Sequence, residues 1–123
     1  MKELEILTII IGTKDSRNKI IFNFKKDKTI YSIVKDYILI ESSALNTKQI
    51  ENILNSIKES KINIRSKDYG YHYEFNSYYW ILKFEYTNDT VYYKSGCDIL
   101  PSNWNLFTRP FGELLSKEVG ALC

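Results

Sequence analysis

The sequence predicts an α+β fold: one domain over residues 1–123, built on an antiparallel, twisted sheet of about six strands with two helices packed on one face. Three observations point there. Short apolar stretches rich in Ile, Phe and Tyr recur between polar turns. One amphipathic helical pattern interrupts them near residues 47–59. Finally, eleven of the aromatic residues (ten Tyr, six Phe and two Trp in all) fall in the run YGYHYEFNSYYWILKFEYTNDTVYY from Tyr69 to Tyr93. Such a run demands both a buried sheet core and an amphipathic surface, because Tyr and Trp join a large apolar body to one polar tip.

The elements follow in order. Leu4–Ile11 is a β-branched apolar run short enough for a buried strand. Gly12–Lys19 reads as a polar turn or loop, after which Ile20, Phe22 and Phe24 alternate on one strand face. Lys25–Lys28 forms the next turn. Ile30–Val34 and Tyr37–Glu41 continue a meander, with Lys35 and Asp36 between them. Ile50, Ile53, Leu54 and Ile57 then fall at i, i+3, i+4 and i+7, the stripe of a helix from Thr47 to about Glu59. Asn46 is placed to cap it, Gln49 to close a capping box, and Leu45 with Ile50 to form a hydrophobic staple.

Strand signals resume at Lys61–Arg65, where Ile62 and Ile64 alternate with polar neighbours. The aromatic run divides around Asn76 and Ser77. In its second part Tyr78, Trp80, Leu82, Phe84 and Tyr86 share one face, with Lys83 and Glu85 on the other. Thr87–Thr90 is a hairpin turn and Val91–Ser95 the return strand. Beyond Pro101, Trp104, Phe107, Phe111, Leu114 and Leu115 follow helical spacing, with Ser102 or Asn103 as cap. Pro110 and Gly112 predict a break near Arg109–Gly112. The expected core is Ile6, Ile20, Phe22, Phe24, Ile50, Ile53, Leu54, Ile57, Trp80, Leu82, Phe84, Trp104, Phe107 and Leu114.

Composition narrows the function classes. Hydrophobic residues at 44% and charged residues at 26% describe an ordinary globular protein. At 123 residues, the chain buries a core without metal or disulfide staples. A net charge of +2 implies neither a nucleic-acid nor a membrane partner by itself. No segment approaches the roughly 20 apolar residues of a membrane span. Glu3 and Glu5 stand where a signal peptide carries only positive charge. Two cysteines, Cys97 and Cys123, make no disulfide scaffold. These features together predict a cytoplasmic protein.

Candidate chemistry is sparse. His72 is the only histidine and has no Cys or carboxylate at ligand spacing, so it reads as a polar strand residue. Cys97, in Ser95–Asp98, reads as a small residue in a strand-to-helix loop, since nothing in the sequence places His72 beside it. Glu74, Glu85, Asp89 and Asp98 read as a solvated sheet face, and the five glycines stand singly, so no phosphate-cradling loop exists. No enzyme activity, cofactor or metal is expected. Lys67–Glu74 approaches the RRM signature but departs at Asp68, His72 and Glu74.

The leading expectation is a protein-binding module anchored by Tyr69, Tyr71, Tyr73, Tyr79 and Tyr92, with Arg65 and Lys67 at the rim, because aromatic residues and Arg concentrate at the energetic centres of interfaces. The alternative is a single-stranded nucleic-acid binder using those tyrosines with Lys25, Lys26 and Lys28.

One segment carries a resemblance. From Trp80 through Leu115, a W-x-L-x-F-x-Y strand, a turn, a second strand to Gly96 and then P-S-N-W-N-L-F resemble the close of small uncharacterised proteins of low-GC Gram-positive bacteria and their mobile elements. The matching positions are Gly96, Pro101, Asn103, Trp104 and Phe107, while Pro110 and Gly112 depart from a smooth closing helix. The chain's bias toward Ile, Lys and Asn fits that source. The resemblance implies no activity, but it brings forward a phage-type inhibitor that binds a host defence complex and occludes its surface.

Overall fold

A computed structural model describes residues 3–25, 29–63 and 78–113. Its frame is a six-stranded antiparallel sheet with two helices on one face. The strands are β1 (Leu4–Gly12), β2 (Arg17–Asn23), β3 (Ile30–Lys35), β4 (Ile38–Ala44), β5 (Tyr79–Tyr86) and β6 (Val91–Cys97), in spatial order β4-β3-β2-β1-β5-β6. The helices are α1 (Thr47–Ser60) and α2 (Trp104–Thr108), the latter continuing as a 3-10 helix over Arg109–Glu113. The predicted α+β architecture is therefore the one observed.

β1 is central, flanked by β2 and β5, which explains why it is apolar at every position from Ile9 to Ile11. Leu7 and Ile9 face the helices and are fully buried, opposite Phe22 and Ile20 on one side and Phe84 and Leu82 on the other. Ile6 belongs to the other face and is only half-buried, so the sequence-based core is wrong there. A strand apolar on both sides gives no alternation from which to read its inward face. Leu54, at the flank of the α1 stripe, is 37% exposed and also leaves the core. Phe24 and Ile50 are partly buried against it, and Leu114 lies outside the described residues.

Helix α1 starts where its cap dictates. Asn46 Oδ1 accepts from the Gln49 N–H at 2.8 Å, and Gln49 Oε1 accepts from the Asn46 N–H at 2.9 Å, the reciprocal capping box. It stops at Lys61, which adopts the left-handed conformation (φ 56°) and donates its N–H to the Ile57 carbonyl. That cap turns Lys61–Asn63 away from the strand expected there. Ile62, just past the cap, is driven into the core instead.

The second helix is short because Pro110 and Gly112 follow it, as the sequence indicates, and the chain tightens into 3-10 geometry. Asn103 occupies its N-cap position without capping it; the amide donates to the Ser60 carbonyl at 2.6 Å, satisfying the end of α1 and tying the helices together. From there the rings of Trp80, Trp104, Phe107, Phe111 and Phe22 follow one another at centroid distances of 5.9, 5.6, 5.3 and 5.1 Å. This aromatic chain bridges β5 to β2 beneath the helices, within the favourable range for ring pairs. Trp80 lies across Gly96: a Cβ there would stand 2.8 Å from the indole, so β6 needs a glycine at that point.

Candidate functional site

Arg65, Lys67, Tyr69, His72, Tyr71 and Tyr73 lie outside the described residues, as do Glu74, Lys26 and Lys28. The two remaining predicted anchors do not share a surface. Tyr79 sits on the outer face of β5, opposite Cys97 and against Gly12. Tyr92 sits on the inner face of β6, opposite Phe84, and stacks on that ring at 6.0 Å. One patch built from both would have to pass through the sheet. Tyr79 lies on the face that the alternation of Trp80, Leu82 and Phe84 leaves to it, whereas the face of Tyr92 depends on the register of β6 against β5, which the sequence does not carry.

The titratable groups singled out in the sequence serve local structure. Glu85 pairs with Lys83 at 3.8 Å on the outer face. Asp98 (φ 60°) accepts the Tyr78 N–H at 3.1 Å, and burial together with the Asp98 charge raises the Tyr78 hydroxyl pKa. Lys94 is the one buried cation among the described residues. It faces the core opposite Leu82, reaches the Ile62 carbonyl at 3.4 Å, and burial lowers its pKa. Among the described residues no three His, Cys, Asp or Glu side chains gather as a metal site would require. An open groove of about 270 Å³ runs between α1 and the second helix, lined by Asn52, Asn55, Ser56, Glu59, Leu106, Arg109 and Pro110.

Among the described residues the most exposed apolar surface lies elsewhere, at the start of β4. Strands β3 and β4 meet at a two-residue turn, Asp36–Tyr37, in which both residues have positive φ (49° and 71°). That is the conformation of the tight hairpin turn for which Asn-Gly is the favoured sequence. Asp36 is held by Arg17, whose backbone N–H donates to Asp36 Oδ1 at 2.8 Å, while the Asp36 N–H donates to the Arg17 carbonyl at 2.8 Å. The Arg17 guanidinium lies 5.9 Å from the Tyr37 ring centroid. An aromatic side chain thus occupies a strained turn position and projects outward.

From that turn the chain exposes four large apolar residues in succession: Tyr37 at 84%, Ile38 at 67%, Leu39 at 60% and Ile40 at 40%. Among the described residues β4 is an edge strand, paired only with β3. Leu39 stands opposite Val34 and Ile38 opposite Lys35, so the apolar side chains occupy both faces; a bulge follows, with Glu41 opposite Ile33. Edges are usually protected by Lys, Pro, bulges, inward-pointing charges or short length. β4 has neither Lys nor Pro, and its bulge and its one charge, Glu41, come only after the exposed Tyr37–Leu39 stretch. The Tyr37–Glu41 strand was visible in the sequence, but its place at the sheet edge was not: nothing local says whether a later strand adds beside it.

No protein-family model matches this chain, and no curated protein or solved structure matches it either. No described helix is long and apolar enough to cross a membrane.

Proposed function

We propose that this protein is a non-enzymatic protein-binding module whose contact surface is the β4 edge. The supporting observation is the unbroken exposure of Tyr37, Ile38, Leu39 and Ile40 on a strand with one side unpaired among the described residues. An exposed edge takes a partner by strand addition: main-chain hydrogen bonds supply affinity, and side chains on alternate faces supply specificity. Strain at Tyr37 supports the same reading, since a left-handed non-glycine residue persists where function or context holds it. A nucleic-acid surface has less to stand on, because the strand from Ile38 to Ala44 carries no cation. An inhibitor that occludes a larger host complex, as the resemblance to small mobile-element proteins implies, is one form such a module takes.

Affinity capture with wild type and Ile38→Lys tests this. A partner retained by wild type should be lost by the variant, whose melting temperature stays close to wild type because Ile38 is mostly solvated. Equal capture by a folded Ile38→Lys sinks the edge assignment. A salt titration separates the partner classes. Binding through six to ten phosphates would weaken by about 10³–10⁵-fold between about 50 and about 200 mM salt, whereas an apolar edge should lose little.

A further inference from the structure

Resting on the reading of β4 as a binding edge, we infer that its occupant is β4 of a second copy of this chain, paired antiparallel in a register centred on Leu39. The two six-stranded sheets thereby join into one.

Four observations select this occupant. The outer side of β4 is unpaired among the described residues, and a second β4 presents the same unpaired row. A two-fold axis between identical edges makes the new pair antiparallel, and every strand pair already in the sheet is antiparallel. The apolar residues lie on both faces of β4, Leu39 on the outer and Ile38 on the inner. A covering strand must therefore be apolar on both faces at the same level, and this strand is. Charge then chooses the register. Glu41 is the only charged residue of β4. A pair centred on Glu41 would set two carboxylates against each other. Centred on Leu39, the pair sets Leu39 against its own copy and holds the two Glu41 carboxylates apart on either side of the axis.

The bulge beyond Leu39 limits how far the joint ladder runs. Only a few residues of each copy meet, less than the roughly 1,200–2,000 Å² of a standard stable interface. The dimer is accordingly dependent on concentration, forming across the micromolar range.

Sedimentation of the full chain from low to high micromolar concentration tests the pairing. Wild type should move from monomer to dimer, while Leu39→Lys, which sets two cations face to face, should stay monomeric with its melting temperature unchanged. Leu39→Cys tests the register. Position 39 meets its own copy, within the 4.4–6.8 Å Cα separation that a disulfide accepts, so oxidation should give a covalent dimer well above the level of Ser43→Cys and wild type. Dimerisation of Leu39→Lys overturns the edge, and equal cross-linking of the Leu39→Cys and Ser43→Cys variants overturns the register. A wild type that stays monomeric at high micromolar concentration overturns self-pairing. If in that case Ile38→Lys still loses a captured protein, the binding edge stands and its occupant is a different chain.

Discussion

Tyr37 shows how much a single residue reports when its backbone disagrees with its side chain. A two-residue hairpin turn with both φ values positive favours glycine at its second position, yet the chain places there an aromatic ring 84% exposed. A left-handed conformation costs an L-residue about 1–2 kcal/mol, and the packing of so exposed a ring returns little of it. Tyr37→Gly should therefore raise stability to urea by about 1 kcal/mol, and the same change should weaken capture or self-association through the edge. A variant that is no more stable would show that the Arg17 contact outweighs the strain. Tyr31, on the inner side of the neighbouring strand, yields a pH dependence. Burial first, and then the nearby Glu41 carboxylate, raise its pKa above 10.0. A group whose folded pKa is raised contributes stability that is intact below its unfolded value and lost as pH climbs through the folded one. Stability should thus decline above pH 10.0, and Tyr31→Phe should show a shallower decline than wild type when urea unfolding is compared at about pH 9 and about pH 11. Parallel curves would remove Tyr31 from that slope.

At the level of elements, what can be read from sequence is whatever is settled over a few residues. Helix α1 was legible to its first residue because the Asn46–Gln49 box, the Leu45–Ile50 staple and the Ile stripe all agree. Asn46→Ala removes the acceptor for the Gln49 N–H and should cost about 1 kcal/mol, read as a lower urea midpoint with unchanged slope. A change in slope instead would mean that the helix end had unravelled. The β5–β6 hairpin was equally plain, since Trp80, Leu82, Phe84 and Tyr86 alternate strictly with half-exposed neighbours. Boundaries set by backbone events were not legible. The left-handed Lys61 ended α1 and erased the start of a predicted strand, although Lys carries no mark of that conformation. Likewise the sequence offers Ser102 or Asn103 as the cap of the second helix; Asn103 takes the N-cap position, but its side chain is drawn to the Ser60 carbonyl, 43 residues away in the chain. The candidate site failed to show for a related reason. An edge exists only relative to the whole sheet, so the Tyr37–Ile40 run looked like any other strand.

For the whole molecule, the topology separates contacts by the chain length needed to make them. Strands β1 to β4 form a meander of neighbours close in sequence, and β5 with β6 forms a second local hairpin. One seam, β1 against β5, unites them, pairing Leu7 with Phe84 and Ile9 with Leu82 across more than half the chain. Closing that seam carries the larger entropy cost, and local pairings are rewarded before it closes. Ile33 and Leu82 are both fully buried, one inside the meander and one at the seam. Truncating either to Ala should cost about 2–5 kcal/mol, well above the limit at which the partition between rates becomes reliable. The partition should differ between them. If the meander is formed in the transition state and the seam is not, Ile33→Ala should mainly slow folding and Leu82→Ala should mainly hasten unfolding. Stopped-flow refolding and unfolding limbs of the two variants would show it directly. The reverse partition would place the β5 hairpin, and with it the aromatic core around Trp80, at the start of folding.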